Sequence, residues 1–407
     1  MHILFLTDNF PPEGNAPATR TFEHAREWVS KGHKVTVITC APNFPEGKVF
    51  DGYKNRWLSK ETIEDINVWR VKTYITANAG FIKRTIDFIS FMVSSFFFGL
   101  LVRQVNVVIG TSPQFFTVIS AWALAKFKHV PFVFELRDIW PASITAVGAM
   151  ERNSVITTLE RLEMFLYHQA DLIISVTHSF KSELQARGVS GDKIKVVLNG
   201  VDLNKYTPLK NKDQKFAKKY NLQGKFVAGY IGTHGLAHAL DTIIEAAELL
   251  KEEDSIRIVF TGGGADRSRL EELVKKRDLS NIVMIPRQPK EQMRNIWSLC
   301  DISLVSLKDT PLFTTVIPSK IFESMAMRLP IIMSVPVGES TEIIRAENSG
   351  LIVPPENPIK LAEAILKIKN DNDLLSRLSD NSFLAAGKFN RQHLAIKLLS
   401  YIEEKLN

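Results

Sequence analysis

Cysteine is scarce in this 407-residue chain: only Cys40 and Cys300 occur, each closing an apolar run, with no C-x-x-C pair. This excludes a disulfide-stapled secreted module and a zinc ribbon, and leaves two buried reduced thiols, as expected of a cytoplasmic protein. Metal-ligand spacing is lacking too. There is no H-E-x-x-H, and the one D-x-D, Asp371 and Asp373, falls in a polar turn near the end of the chain, where a structural role is expected. No metal is expected. A basic stripe interleaved with aromatics is absent, which excludes a nucleic-acid reader. The net charge of +7, from 51 Lys+Arg against 44 Asp+Glu, is spread along the chain and suits phosphates or acidic headgroups. The opening residues MHILFL carry neither the charged region nor the small-residue cleavage site of a signal peptide and read as a strand. Short repeats and low-complexity tracts are missing. No apolar run reaches the roughly 20 residues that a bilayer span needs.

The run closest to that length, Phe88–Val102 (FISFMVSSFFFGLLV), is flanked by Lys83, Arg84 and Arg103. It reads either as a helix covering a sheet or as an interfacial helix, with basic flanks on headgroups and phenylalanines in the acyl boundary. The two readings are compatible if one stripe faces protein and another faces lipid.

Hydrophobic residues make up 45% and charged residues 23%, an ordinary globular balance. The length fits two domains of about 200 residues each. In the first half, strand-like runs at His2–Thr7, Lys34–Cys40, Val68–Val71, Asn106–Thr111, Pro131–Glu135, Leu172–Val176 and Lys195–Leu198 alternate with helical patterns such as Ala18–Lys31. Continuous Val/Ile runs separated by helices predict a parallel sheet covered on both faces. After the turn Asn199-Gly200-Val201-Asp202 comes a polar stretch, Lys205–Lys219, and then the alternation restarts. Strands are expected at Phe226–Ile231, Arg257–Thr261, Asn281–Ile285, Ile302–Val305 and Ile331–Ser334, with a helix at Ala237–Lys251 and two closing helical patterns, the last at Arg391–Lys405. The expected architecture is α/β: two doubly wound, Rossmann-like domains, residues 1–204 and 205–407, facing across a cleft. The last helix is a candidate to pack back on the first domain.

Ligands of open α/β sheets bind at the carboxyl ends of strands, so the loops there carry the chemistry. The first, Asp8 to Arg20, is no G-x-G-x-x-G; Gly14 lets backbone approach a ligand, or serves a plain connector. Glu135-Leu136-Arg137-Asp138 ends another strand. Arg137 there is a candidate to steady phosphate or leaving-group charge and Asp138 to accept a hydroxyl, with a structural salt bridge or helix cap as the plainer reading. In Pro318-Ser319-Lys320-Ile321-Phe322-Glu323, a loop enters a short helix. Ser319, Lys320 and Ile321 are placed to hold a diphosphate, and Glu323, one turn later, to take both hydroxyls of a ribose. Glu323 near a helix start is also explained by pairing with the dipole.

Glu323 with Ala326, Pro330 and Ile331–Ser334 resembles the second half of the signature of family-4 glycosyltransferases of the GT-B fold, in which the second of two glutamates binds the donor ribose. Thr315 stands where that family places the first, which removes the carboxylate usually assigned to the transferred sugar. The loop Thr314–Lys320 resembles instead the N-acetyl-L-fucosamine transferases of bacterial O-antigen and capsule assembly. Other pieces are similar to the same family: Asn199–Asp202 with Tyr206 and Pro208 to its domain link, and Gly232-Thr233-His234-Gly235 to the loop on the donor phosphates. Thr261-Gly262-Gly263-Gly264 is similar to its glycine turn, Pro286-Arg287-Gln288 to the nucleobase segment, and Gly338-Glu339-Ser340 with Gly350–Pro354 to a later loop pair. The family's usual Arg and Lys are replaced by His234 and His238, so Lys320 is expected to supply the cation. The resemblance implies retaining transfer from a UDP-sugar, with no cofactor beyond the substrate. It also implies a polyprenyl diphosphate-linked saccharide acceptor at the anionic inner face of the plasma membrane. Two other functions share this shape: a nucleotide-sugar 2-epimerase, and a non-catalytic scaffold, which Thr315 favours.

Overall fold

The computed structural model describes residues 1–44, 46–76, 81–112, 114–141 and 153–406. They form two compact units, residues 1–198 with 391–407, and residues 199–390. The break thus falls a little ahead of the polar stretch, and the closing helix Arg391–Leu406 belongs to the first unit, where Trp28 Nε1 donates to Ala395 O at 2.9 Å.

The first unit is built on eight strands: β1 His2–Leu6, β2 Lys34–Cys40, β3 Leu58–Ile63, β4 Ile66–Val71, β5 Val107–Thr111, β6 Phe132–Leu136, β7 Leu172–Ser175 and β8 Ile194–Val196. They lie in the order β3-β4-β2-β1-β5-β6-β7-β8, parallel except for the β3–β4 hairpin. The buried Val/Ile/Leu runs are covered on both faces, by clusters around Leu4, Phe134 and Phe91 and around Phe5, Trp28 and Leu398. The chain leaves β1 toward β2 and β4 and returns through β5 on the other side, so the crevice at the topological switch lies beyond the carboxyl ends of β1 and β5. Strand β3 escapes the sequence reading because LSKETI is polar and half-exposed. Its tight turn uses Glu64 and Asp65 at φ 46° and 62°, without the glycine that would announce it.

The second unit has β9 Phe226–Ile231, β10 Ile256–Gly262, β11 Ile282–Pro286, β12 Ile302–Ser306, β13 Ile331–Ser334 and β14 Gly350–Val353, in the all-parallel order β11-β10-β9-β12-β13-β14. Of Gly350–Pro354, expected as a loop, Gly350–Val353 is an edge strand; a Cβ on Gly350 would lie 1.9 Å from Ile331 O. The expected helix from Ala237 starts only at Leu240, because Ala239 takes φ 45° after a 3₁₀ turn. Three helices close the chain rather than two, Pro358–Asn370 and Asn372–Ala386 preceding the last. Asp371 caps the second of them, accepting from Leu374 N at 2.8 Å, which accounts for half of the D-x-D.

Helix Phe81–Leu100 covers the sheet on one side and leaves apolar side chains exposed on another. Phe91 and Ser95 are buried, with Ser95 Oγ 2.9 Å from Ser120 Oγ on the neighbouring helix Phe115–Lys128. Ile86, Ile89, Val93, Phe97 and, just beyond the helix, Leu101 follow each other at spacings of three and four and remain 39% to 61% exposed. Among the described residues no helix is long and apolar enough to cross a membrane.

Candidate active site

In the second unit the loops after β9 and β10 interlock. Gly232, at φ 151°, donates its N–H to Thr261 O at 2.9 Å, and His234 N–H reaches Gly263 O at 2.9 Å. A Cβ on Gly262 would fall 1.9 Å from Gly232 O, and one on Gly264 2.3 Å from His234 O, both at positive φ. The close approach therefore requires Gly262 and Gly264. Gly263, the glycine singled out from the sequence, has room around it, meeting only Arg287 Cβ at 4.0 Å. Arg287 is exposed at the end of β11, and Thr233 is exposed on its loop.

Lys320 opens the short helix Lys320–Ala326 and reaches back to this loop. Its Nζ lies 3.6 Å from the centroid of the Tyr230 ring, and a Cβ on Gly232 would come within 2.9 Å of it. The amine is buried and makes no hydrogen bond. Burial pulls its pKa down to about 7, against the opposing pull of Glu323. Tyr230 donates its hydroxyl to Thr233 O at 2.8 Å, and burial pushes its phenol up. His238 is held down at about 3 by burial and then Lys320; His234 at about 4 by burial, Arg267 and Lys320. Both rings are neutral at pH 7, so the positive charge beside these loops comes from Lys320 and from Arg267 and Arg287 rather than from histidine. Ser319 caps the helix in helical geometry without a side-chain bond, and Glu323 sits half-buried one turn on.

Two of the expected site residues lie inside the protein. Ile321 is fully buried in the core and its N–H donates to Pro318 O. His234 is also fully buried, its ring lying between Tyr230 and Phe260 at centroid distances of 6.0 and 6.1 Å. Both of its ring nitrogens are without a hydrogen bond. Thr315, in the place of the first signature glutamate, spends its hydroxyl on Leu312 O at 2.9 Å. Tyr230 escaped sequence reading because FVAGYI is an ordinary buried strand. His238 stood out only as one of two histidines, and its place beside Lys320 emerges from the fold.

The first unit places Gly14, Arg137 and Asp138 around its own switch point, apart in sequence from the donor loops. Asn15, beside Gly14, caps helix Ala16–Ser30 by accepting from Ala18 N at 3.0 Å. Ser112 fixes the end of β6: its hydroxyl accepts from Arg137 N–H at 2.8 Å and donates to Asp138 O at 3.3 Å. Beneath lies a buried ion pair, Arg20 Nε to Glu135 Oε1 at 2.9 Å, with Arg20 also donating to Val197 O and Leu198 O. The Arg137 Nε and Nη1 atoms are buried without a hydrogen bond, and burial lowers its pKa to about 10 against the pull of Glu135. His24 is held well below its usual value by burial and then by Arg20, Arg391 and Arg137. Two further carboxyls were missed. Asp8, just past β1, accepts from Gln114 Nε2 at 2.6 Å and is raised by burial and then by Asp87. Burial lifts Asp87 to about 7, with Arg84 opposing. Asp8 was legible from its place at a strand end; Asp87 needed the rotation of its helix.

Residues 18–205 match the family described as Glycosyltransferase Family 4, and residues 211–384 the Glycosyl transferases group 1. The chain is a glycosyltransferase carrying both domains. It is 26% identical over 337 residues to WcaI of Escherichia coli K12, named for colanic acid biosynthesis, covering 80% of this chain and 81% of that one. It is 27% identical over 245 residues to the amylovoran biosynthesis glycosyltransferase AmsK of Erwinia amylovora, covering 59% and 58%. Among solved structures it is similar to sucrose-phosphate synthase of Thermosynechococcus elongatus, with TM-score 0.79 at 17% identity over 99% and 98% of the chains. HepE of Anabaena in complex with UDP-glucose gives TM-score 0.75 at 14% identity over 99% and 100%. The glycosyltransferase has the GT-B fold of these neighbours, two parallel-sheet Rossmann-like domains.

Proposed function

We propose that this glycosyltransferase moves a sugar, with retention of configuration, from a UDP-sugar to a polyprenyl diphosphate-linked saccharide in bacterial surface-polysaccharide synthesis. The observation that carries the reading is the Lys320 amine, buried and unpartnered beside Gly232 and one turn ahead of Glu323. A desolvated amine without a partner is a place for an anion. Lys320 meets the donor diphosphate, Glu323 the ribose hydroxyls, and Gly263 and Arg287 flank the nucleoside. Arg137 steadies charge on the leaving diphosphate, Asp138 accepts a hydroxyl, and Gly14 admits backbone close to the sugar. No metal or cofactor takes part. Relatives named for colanic acid and amylovoran biosynthesis support the polysaccharide role, and UDP-glucose in HepE supports the donor. The likeness of Thr314–Lys320 to N-acetyl-L-fucosamine transferases favours that sugar. A thermal-shift panel of nucleotide-sugars tests the reading. At about 100 times Kd a native-state ligand adds about 2.7 kcal/mol of stability. A rise in Tm with UDP-sugars supports it; no shift with any nucleotide-sugar contradicts it.

The acceptor side of the proposal includes a membrane contact through the stripe from Ile86 to Leu101, at the inner face of the plasma membrane. Wild type is expected to float with anionic liposomes, and Lys83→Glu/Phe97→Glu, both on exposed side chains, to stay in the soluble fraction. Equal flotation of the two proteins would show that the stripe is not the contact.

A further inference from the structure

A cavity of about 280 Å³ opens at the far end of that stripe, lined by His2, Lys34, Lys60, Trp69, Leu101 and Arg103 among others. It sits at the amino ends of β1, β2 and β4, opposite the strand ends where α/β sheets bind substrates, so it is not part of the catalytic site. Three of its walls are cationic: Lys34 begins β2, Lys60 lies on β3, and Arg103 follows the helix Phe81–Leu100. No carboxylate lines it, and none of the three cations forms an ion pair among the described residues. All three side chains are exposed at the rim, so an anion seated between them would meet three cations at once. The remaining walls are fixed. His2 Nε2 lies 2.8 Å from Thr36 Oγ1 and its Nδ1 3.1 Å from Arg103 O. Burial and then Lys34 lower its pKa, so the ring is neutral. Lys60 Nζ rests 3.8 Å from the centroid of the Trp69 ring. Leu101 belongs both to this cavity and to the exposed apolar stripe, so the stripe meets the cationic pocket at this residue.

We propose that this cavity binds the phosphate headgroup of an anionic phospholipid whose acyl chains lie along the stripe from Leu101 toward Ile86. The inference rests on the membrane reading of that stripe and adds a specific lipid site to it. Flotation of the full-length protein on phosphatidylglycerol and on phosphatidylcholine vesicles tests it. Wild type should favour phosphatidylglycerol at least tenfold. Lys60→Glu/Arg103→Glu should float on phosphatidylglycerol no better than wild type does on phosphatidylcholine, while binding UDP like wild type. Phe97→Glu should lose both vesicle types. If the Lys60→Glu/Arg103→Glu protein floats like wild type while Phe97→Glu fails, the stripe stands and the headgroup site falls. If wild type floats on neither vesicle, both fall. Calorimetry with inorganic phosphate separates the sources: tight binding of free phosphate at this pocket, abolished by the same double variant, would contradict a lipid ligand.

Discussion

Replacing Arg20 by methionine is expected to destabilise the first unit by about 3–5 kcal/mol, because the buried Glu135 loses the cation hydrogen-bonded to it and keeps only the charge of Arg137 nearby. The Arg20–Glu135 pair is almost wholly shut off from water, with side chains 1% and 2% exposed. Arg20 also closes the carbonyls of Val197 and Leu198, so the variant leaves three acceptors unsatisfied at the end of the first sheet. A loss of that size is a large part of the 5–15 kcal/mol that typically holds a domain together. The second unit has its own core, so thermal unfolding should show an early transition for the first unit and an unmoved later one. Arg20→Met/Glu135→Leu should recover part of the stability, since it removes the unpaired carboxylate, while Arg137 loses the attraction of Glu135. The pair has a pH signature as well. Arg20 and Arg137, outweighing the cost of burial, hold Glu135 below its usual value of 4.5, so its contribution is present above that value and is lost as the pH falls through the depressed one. Equal melting of wild type and Arg20→Met would mean that the pair contributes nothing measurable.

Lys320→Ala is expected to weaken UDP binding about ten- to a hundredfold, the range for a lost charged hydrogen bond, and to leave uridine binding nearly unchanged. The same lysine gives wild type a pH dependence. Burial sets its pKa at about 7 in the free protein, so it loses its proton as pH rises above that value. A diphosphate selects the protonated form, and apparent affinity falls with the fraction protonated. From pH 7 to 9 UDP affinity should therefore drop by about tenfold per unit at most, until the raised pKa of the bound state is reached. A terminal phosphate with pKa near 6 is already largely ionised over this range and does not reverse the trend. Lys320→Arg, whose charge persists, should flatten the profile. Equal losses of UDP and uridine in Lys320→Ala, or a flat wild-type profile, would move the phosphates elsewhere.

The positions of most strands along the chain were legible because buried parallel strands are continuous Val/Ile runs. Twelve of the fourteen announce themselves in this way, from HILFL to IIMS. The two that did not are edges: β3, polar and half-exposed, and β14, four residues opening on a glycine. The donor loops were legible because strand ends and glycines mark them, yet which glycine matters was not. Gly262 and Gly264, rather than Gly263, meet backbone at distances no Cβ tolerates, and only the packing of one loop on another decides that. Lys320 was visible as a cation in a suggestive motif. Its isolation, stacked on Tyr230 with its amine unpaired, depends on a strand 90 residues earlier in the chain, by the numbering of the two residues. The burial of Ile321 and His234 was not legible for a related reason: position in a motif says which residues are near a loop, and rotation about the helix or loop says which of them are exposed.

The account centres on a nucleoside diphosphate held by the second unit between Lys320 and Glu323. The most direct measurement is a calorimetric titration of UDP into wild type and into Glu323→Ala. Thermal melting of the two proteins, followed alongside, separates a loss of binding from a loss of fold. Loss of a charged hydrogen bond to the ribose should weaken binding by about 1.5–3 kcal/mol, roughly ten- to a hundredfold, in Glu323→Ala alone. Failure of wild type to bind UDP, or identical affinity of the two proteins, would contradict the account.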